Sequence, residues 1–193
     1  MVILDCRGQQ CPQPVVQVRR QMQAAPDAPL QVLVDDPAAR DNVGRLADNQ
    51  GYQIKVEQEG NTYRIELRPG EQIEVKGQVA TTGPTVVLVA SDQMGSGDQK
   101  LGQILMKNFI FTLAENETAP DQLLFVNGGA RLTVGGSDVI EPLQKLAQLG
   151  TDVATCGLCL EYFGLKEALA VGRVTNMLEI ATVLQSAGRI VRP

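Results

Sequence analysis

Four cysteines and no histidine set the chemistry open to this 193-residue chain. The cysteines come as two pairs, Cys6 with Cys11 and Cys156 with Cys159. Without histidine there is no Cys-His or Ser-His catalytic pair and no His-ligated metal. What remains is a thiolate activated by its surroundings, and sulfur exchange between thiolates needs only that. Cys11 has the most distinctive setting, Gly8-Gln9-Gln10-Cys11-Pro12-Gln13-Pro14. Gly8 lets the backbone turn out of the apolar run Val2-Ile3-Leu4. Pro12 and Pro14 suit a first helical turn, and the helical pattern Val15, Val18, Met22 follows. Cys11 is thus expected at or beside a helix N-cap, where partial positive charge and unpaired N–H donors would stabilise a thiolate. The competing reading is a buried cysteine that merely packs. A rigid double-proline approach counts against it.

For Cys156-Gly157-Leu158-Cys159 three readings compete. The spacing is that of a dithiol/disulfide redox pair, although it follows the third strand of its domain. A zinc site shared with Cys6 and Cys11 is chemically sound, but the prolines around Cys11 do not suit it. A sulfur relay, in which one thiolate holds a persulfide and passes it on, accounts for both cysteine regions and the missing histidines. Cys156 stands first after a strand and is expected to be the more exposed; Leu160, Tyr162 and Phe163 suggest packing around Cys159. Arg7 and Arg19 are candidates to steer an anionic partner or persulfide, with Arg20 read as a solvated helix face. Gly95 and Gly97, in Ser91-Asp92-Gln93-Met94-Gly95-Ser96-Gly97-Asp98, and Asn127 with Gly128 are loop positions where backbone can approach a partner. The glycines lack the spacing of a dinucleotide loop and the Lys-Ser/Thr of a P-loop.

These residues must be held by a scaffold, and the pattern predicts two. Residues 1–70 read as βαβαββ: two helices on one face of a mixed four-stranded sheet, ending in a hairpin around Gly60-Asn61. Residues 71–84 read as a linker, with Ile73-Glu74-Val75 as an extra edge strand. Residues 85–193 open with Val86-Val87-Leu88-Val89, a run fit for a parallel strand buried on both faces. Strand–helix alternation then continues through Gln122–Val126, Asp152–Thr155, Ala170-Val171 and Arg189–Val191. It predicts a parallel α/β sheet with helices on both sides, whose loops after the strand ends share one crevice.

Composition narrows the partners. Net charge is −5, and the first 70 residues are near neutral. Neither half has the basic excess of a nucleic-acid binder. No apolar run is long enough to span a bilayer and no leader peptide is evident, so the thiols are expected in a reducing, cytoplasmic setting and not as staples.

Leu4-Asp5, Arg7-Gly8 and Cys11-Pro12-Gln13-Pro14 resemble the TusA/SirA-like sulfur carriers. Residues 85–193 resemble DsrE-like sulfur-relay domains. Ser91 to Gly97, Cys156 to Leu160, Leu169 to Gly172 and Asn176-Met177 make the whole similar to the YedF family, which is sulfurtransferase-like and associated with selenium metabolism. The resemblance implies a two-layer carrier domain joined to a three-layer flavodoxin-like domain. It implies no cofactor beyond a covalent persulfide or selenopersulfide on Cys11, with Cys156 or Cys159 as second thiol. Pro12 and Pro14 would belong to the partner-contact surface. A cysteine desulfurase as donor, an acceptor protein, and homo-oligomers through the second domain are the partners expected. Cys6 departs from the small residue usual in such carriers, and either resolves a Cys11 persulfide as a disulfide or does nothing. The rival functions are a thiol–disulfide oxidoreductase centred on Cys156 and Cys159, and a non-enzymatic regulator or scaffold.

Overall fold

The computed structural model describes residues 1–70, 83–116 and 118–193. The edge strand expected at Ile73-Glu74-Val75, and linker residues 71–82, lie outside the described residues. The chain falls into two compact units, Met1–Gln78 and Val79–Pro193.

The first unit runs β1 (Val2–Asp5), α1 (Gln13–Ala24), β2 (Leu30–Val34), α2 (Pro37–Asn49), β3 (Tyr52–Glu59) and β4 (Thr62–Pro69). Its sheet has the order β1-β2-β4-β3, with β1 parallel to β2 and the other pairs antiparallel. The helices begin where local chemistry dictates. Asp36 accepts the Ala38 N–H with Pro37 at the first helical position, and Pro14 lies in the first turn of α1. Val18 and Met22 of α1, with Ala39, Val43 and Ala47 of α2, pack on Leu30, Val32, Val34, Ile65 and Leu67. Ile54 and Val56 pair with Leu67 and Ile65 and so share the helix-side face. They remain 36% and 46% exposed because the helical layer stops short of the edge strand. The gap is an open groove of about 490 Å³ lined by Arg40, Asp41, Gly44, Arg45 and Val56.

The second unit runs β5 (Thr85–Val89), α3 (Gln99–Glu115), β6 (Gln122–Phe125), a 3-10 helix (Asn127–Thr133), α4 (Ile140–Gln148), β7 (Asp152–Cys156), α5 (Gly157–Tyr162), β8 (Arg173–Thr175), α6 (Met177–Ser186) and β9 (Arg189–Val191). Its five strands are parallel in the order β8-β7-β6-β5-β9. Successive residues of the central strands serve opposite cores. Val87, Val89, Leu123, Phe125 and Val153 meet α3 and α4, through Met106, Ile110, Leu143 and Leu146. Val86, Leu124, Ala154 and Cys156 meet Ile180 of α6. That alternation is why these strands are apolar throughout and why the unit has three layers.

Two expectations are corrected. The fourth strand is Arg173–Thr175, not Ala170-Val171. The Ala170 and Val171 amides donate instead to the Thr133 carbonyl, and the chain joins the sheet only after Gly172. Gly172 has φ +77° and lies so close to Val153 that a Cβ would fall 2.3 Å from its carbonyl oxygen. The segment after β6 is not a plain glycine loop but the 3-10 helix Asn127–Thr133. Among the described residues no helix is long and apolar enough to cross a membrane.

Candidate functional site

Each unit presents one cysteine to the surface, and the two are built differently. In the first unit Cys11 is exposed, immediately before Pro12, the N-cap of α1. The Cys11–Pro12 peptide is cis. The preceding loop is anchored from below: the Gly8 N–H donates to the Asp35 carboxylate at 2.9 and 3.0 Å, and the Cys6 N–H to the Leu33 carbonyl at 2.8 Å. The helix tip offers fewer amides than its position led one to expect. Pro14 has no N–H, while the Gln13 and Val16 amides are spent on the Gln10 and Pro12 carbonyls. The polar contact to the sulfur comes from the second helix instead. Asn42 Nδ2 donates to Cys11 Sγ at 3.7 Å, and Arg45 donates to Asn42 Oδ1 at 3.1 Å. Arg45 in turn lines the groove beside α2.

The other first-unit candidates fall as follows. Cys6 is 1% exposed, inside the core, and its thiol donates to Gln17 Oε1 at 3.4 Å. Gln17 also donates to Gln9, so Cys6 helps tie α1 to the Cys11 loop. Burial, then the nearby Asp5 charge, pushes the Cys6 thiol up. Arg7 is committed to its neighbour Asp5 by a two-point ion pair, which holds that carboxyl down at about 2. Arg19 is exposed on α1, and Pro12 is half-buried while Pro14 is buried against the core side.

In the second unit the loops converge as the topology requires. Cys156 ends β7 and caps α5; Cys159 sits three residues on, facing it. The expected exposure is reversed: Cys156 is 2% exposed and Cys159 half-buried. Cys156, the last strand residue, points into the core with Val86, Leu124, Ala154 and Ile180, whereas Cys159 packs from outside on that cluster and on the one formed by Ala130, Val134 and Leu160. The Asn127 backbone N–H donates to Cys159 Sγ at 3.0 Å. Asn127 has φ +48°, a left-handed conformation that asparagine tolerates, and this aims its amide at the sulfur. Burial pushes the Cys159 thiol up; the Asn127 amide pulls it down, and its hydrogen bond with Cys156 raises it again.

The wall behind this sulfur is fixed. Gly129 lies against β5, where a Cβ would fall 2.2 Å from the Val89 carbonyl oxygen, and Gly128 sits over Ser91 and Asp92. Thr155 donates to Thr133, which donates to the Ala130 carbonyl, pinning the 3-10 helix to β7. Arg131 stacks over Phe163, 4.7 Å from the ring centroid. Gly95 and Gly97 stand at the exposed tip of the loop after β5. The structure thus unites Asn127, Gly128, Cys156 and Cys159. Among the described residues no group of three or more His, Cys, Asp or Glu side chains could hold a metal.

Asn42, Arg45 and Gln17 were not candidates from sequence. Their one trace is Asn42 itself, a polar residue three after Ala39, where the apolar stripe of α2 calls for a hydrophobe.

Residues 2–69 match the family model described as Sulfurtransferase TusA. No curated protein matches the chain. Among solved structures, the SirA-like protein of Desulfitobacterium hafniense is similar at 28% identity, over 37% of this chain and 100% of that one, with a TM-score of 0.35. The ychN protein of E. coli is similar at 17% identity, over 57% of this chain and 99% of that one, with a TM-score of 0.46. A protein of unknown function from Methanobacterium thermoautotrophicum is similar at 18% identity, over 56% of this chain and 97% of that one, with a TM-score of 0.42. The family match supports a sulfur-carrier role, in general terms, for the first unit.

Proposed function

We propose that this chain carries and transfers reactive sulfur or selenium, holding it as a persulfide or selenopersulfide on Cys11 and passing it on through the thiols of its second unit. The reading is that of a YedF-type protein with a DsrE-like second unit, working in the cytoplasm. The observation that carries it is Cys11: an exposed sulfur on a rigid Cys-Pro-Gln-Pro turn, inside the stretch that matches a sulfurtransferase family.

The chemistry is a single exchange. The Cys11 thiolate attacks the outer sulfur of a donor persulfide, a new S–S bond forms, the donor's S–S bond breaks, and the donor cysteine leaves as thiolate. A cysteine desulfurase is a donor of the right kind, and an acceptor thiol repeats the step in the other direction. Self-association through the second unit belongs to the same proposal.

The test is intact-mass analysis after incubation with a cysteine desulfurase and cysteine, with a selenium arm using selenocysteine. An added chalcogen on the wild-type chain that is lost in Cys11→Ser is the expected result. An unmodified wild-type chain, or a full adduct in Cys11→Ser, removes the proposal.

A further inference from the structure

Of the thiols outside the Cys11 site, two are in contact, and they differ in one decisive respect. Cys159 is half-buried at the mouth formed by Asn127, Gly128 and α5; Cys156 lies beneath it, 2% exposed and closed in by Val86, Leu124, Ala154 and Ile180. A protein or small-molecule donor reaches the first sulfur and not the second. The second can react only with what the first one holds.

We propose that Cys159 is the sulfur-accepting residue of the second unit and that Cys156 is its resolving thiol, so that a persulfide formed on Cys159 is discharged as sulfide. The inference rests on the sulfur-carrier reading only for the origin of the sulfur. In the loading step the Cys159 sulfur bonds to the outer sulfur of a donor persulfide, the donor's S–S bond breaks, and the Cys159 proton leaves with the donor thiol. In the discharge step the Cys156 sulfur bonds to the inner sulfur of the Cys159 persulfide. The inner–outer S–S bond breaks, and the outer sulfur leaves with the Cys156 proton as hydrogen sulfide. The two thiols supply two electrons, the sulfane sulfur is reduced to sulfide, and a Cys156–Cys159 disulfide remains, which a dithiol reductant reopens.

Three structural facts assign these roles. The Asn127 N–H already donates to Cys159 Sγ at 3.0 Å, a contact that favours negative charge on the sulfur at that position. Cys156 is the last residue of a central strand, so its thiol is held in place by the sheet while Cys159 rides on the short helix above. Both thiols are free, and they are close enough for each to sense the other. Enzymes that consume free sulfide, or the selenium equivalent, are the class of reaction this step would supply.

The experiment uses the full chain in a Cys11→Ser background, with glutathione persulfide as the sulfane donor, whose leaving group is glutathione and not sulfide. Trypsin cleaves after Arg7, Lys145 and Lys166, so Cys6 and the Cys156/Cys159 pair are read on different peptides. The expected result is sulfide release together with a pair peptide lighter by two hydrogens. Cys156→Ala, or Cys156→Ser should the first not fold, keeps an added sulfur on Cys159 and loses the sulfide release. Cys159→Ser loses both. An added sulfur on Cys156, or a Cys159 persulfide as long-lived with Cys156 present as without it, overturns the proposal. Because Cys11 is absent, failure here is separate from failure of Cys11 to load in the wild-type chain.

Discussion

The Asn42 side-chain amide reaches across from the second helix to donate to the Cys11 sulfur, 3.7 Å from Nδ2 to Sγ, with Arg45 holding the other end of the amide. This contact favours a sulfur that carries negative charge, and Arg45 fixes which face of the amide is turned to it. Asn42→Leu is expected to slow sulfur loading of Cys11 by about fivefold, the rate equivalent of losing a hydrogen bond worth ~1 kcal/mol. Arg45→Met is expected to have a smaller effect of the same sign. The measurement is the rate of adduct formation on the peptide Gly8–Arg19, with folding checked by circular dichroism.

Cys6 gives a contrasting expectation. Its thiol is enclosed in the core and donates to Gln17, which grips the loop that carries Cys11. Cys6→Ala should cost about 1 kcal/mol of stability, from one lost hydrogen bond and a small void. Hydrogen exchange of α1 reads this cost. Loading of Cys11 should survive the change, with no Cys6–Cys11 disulfide formed during turnover of the wild-type chain. Appearance of that disulfide would give Cys6 a chemical role.

The Cys159 thiol titrates high because burial favours its neutral form, a tendency that Cys156 reinforces and the Asn127 amide opposes. A cysteine whose native pKa is raised holds less thiolate at neutral pH, so its alkylation rate should keep rising at pH values where an unfolded peptide has levelled off. The same shift makes the second unit lose stability as pH climbs from the unfolded thiol's pKa through the native one. Cys156→Ala removes a contribution that raises Cys159 and should move its alkylation profile to lower pH. An unmoved profile would show that the two thiols do not sense each other.

Glycine substitutions separate the wall of the second site from its rim. At Gly129 a Cβ would collide with the Val89 backbone, so Gly129→Ala should destabilise the second unit by more than about 1 kcal/mol and displace the Asn127 amide from Cys159. At Gly97, where a built Cβ meets nothing within 4 Å, Gly97→Ala should stay within about 0.5 kcal/mol of wild type. Thermal melts, together with the alkylation rate of Cys159, check both.

How far the residues themselves disclosed this arrangement depended on the range of the forces involved. The βαβαββ order, the Gly60-Asn61 hairpin and the Asp36-Pro37 helix start were readable because apolar period, turn glycine and cap act locally. The parallel second sheet was readable from strands loaded on both faces. The strand at Arg173–Thr175 was missed because Val171 looks like a strand residue, while its amide is claimed by Thr133 from another element. The exposure of Cys156 and Cys159 was misjudged for a related reason. Which way the last residue of β7 points is set by the register of the whole sheet, and α5 then lifts Cys159 outward. Asn42 stayed hidden because its partner is 31 residues away in sequence.

Among the described residues Cys11 is exposed on its proline turn, with the Asn42 amide beside its sulfur. An atom that oxygen and peroxide attack readily would have a short shelf life in such an open berth. If Cys11 carries sulfur as proposed, cargo loaded there has to be collected quickly, so delivery would be governed by how often the recipient calls, and crowding donor and recipient together would matter more than tuning the sulfur itself.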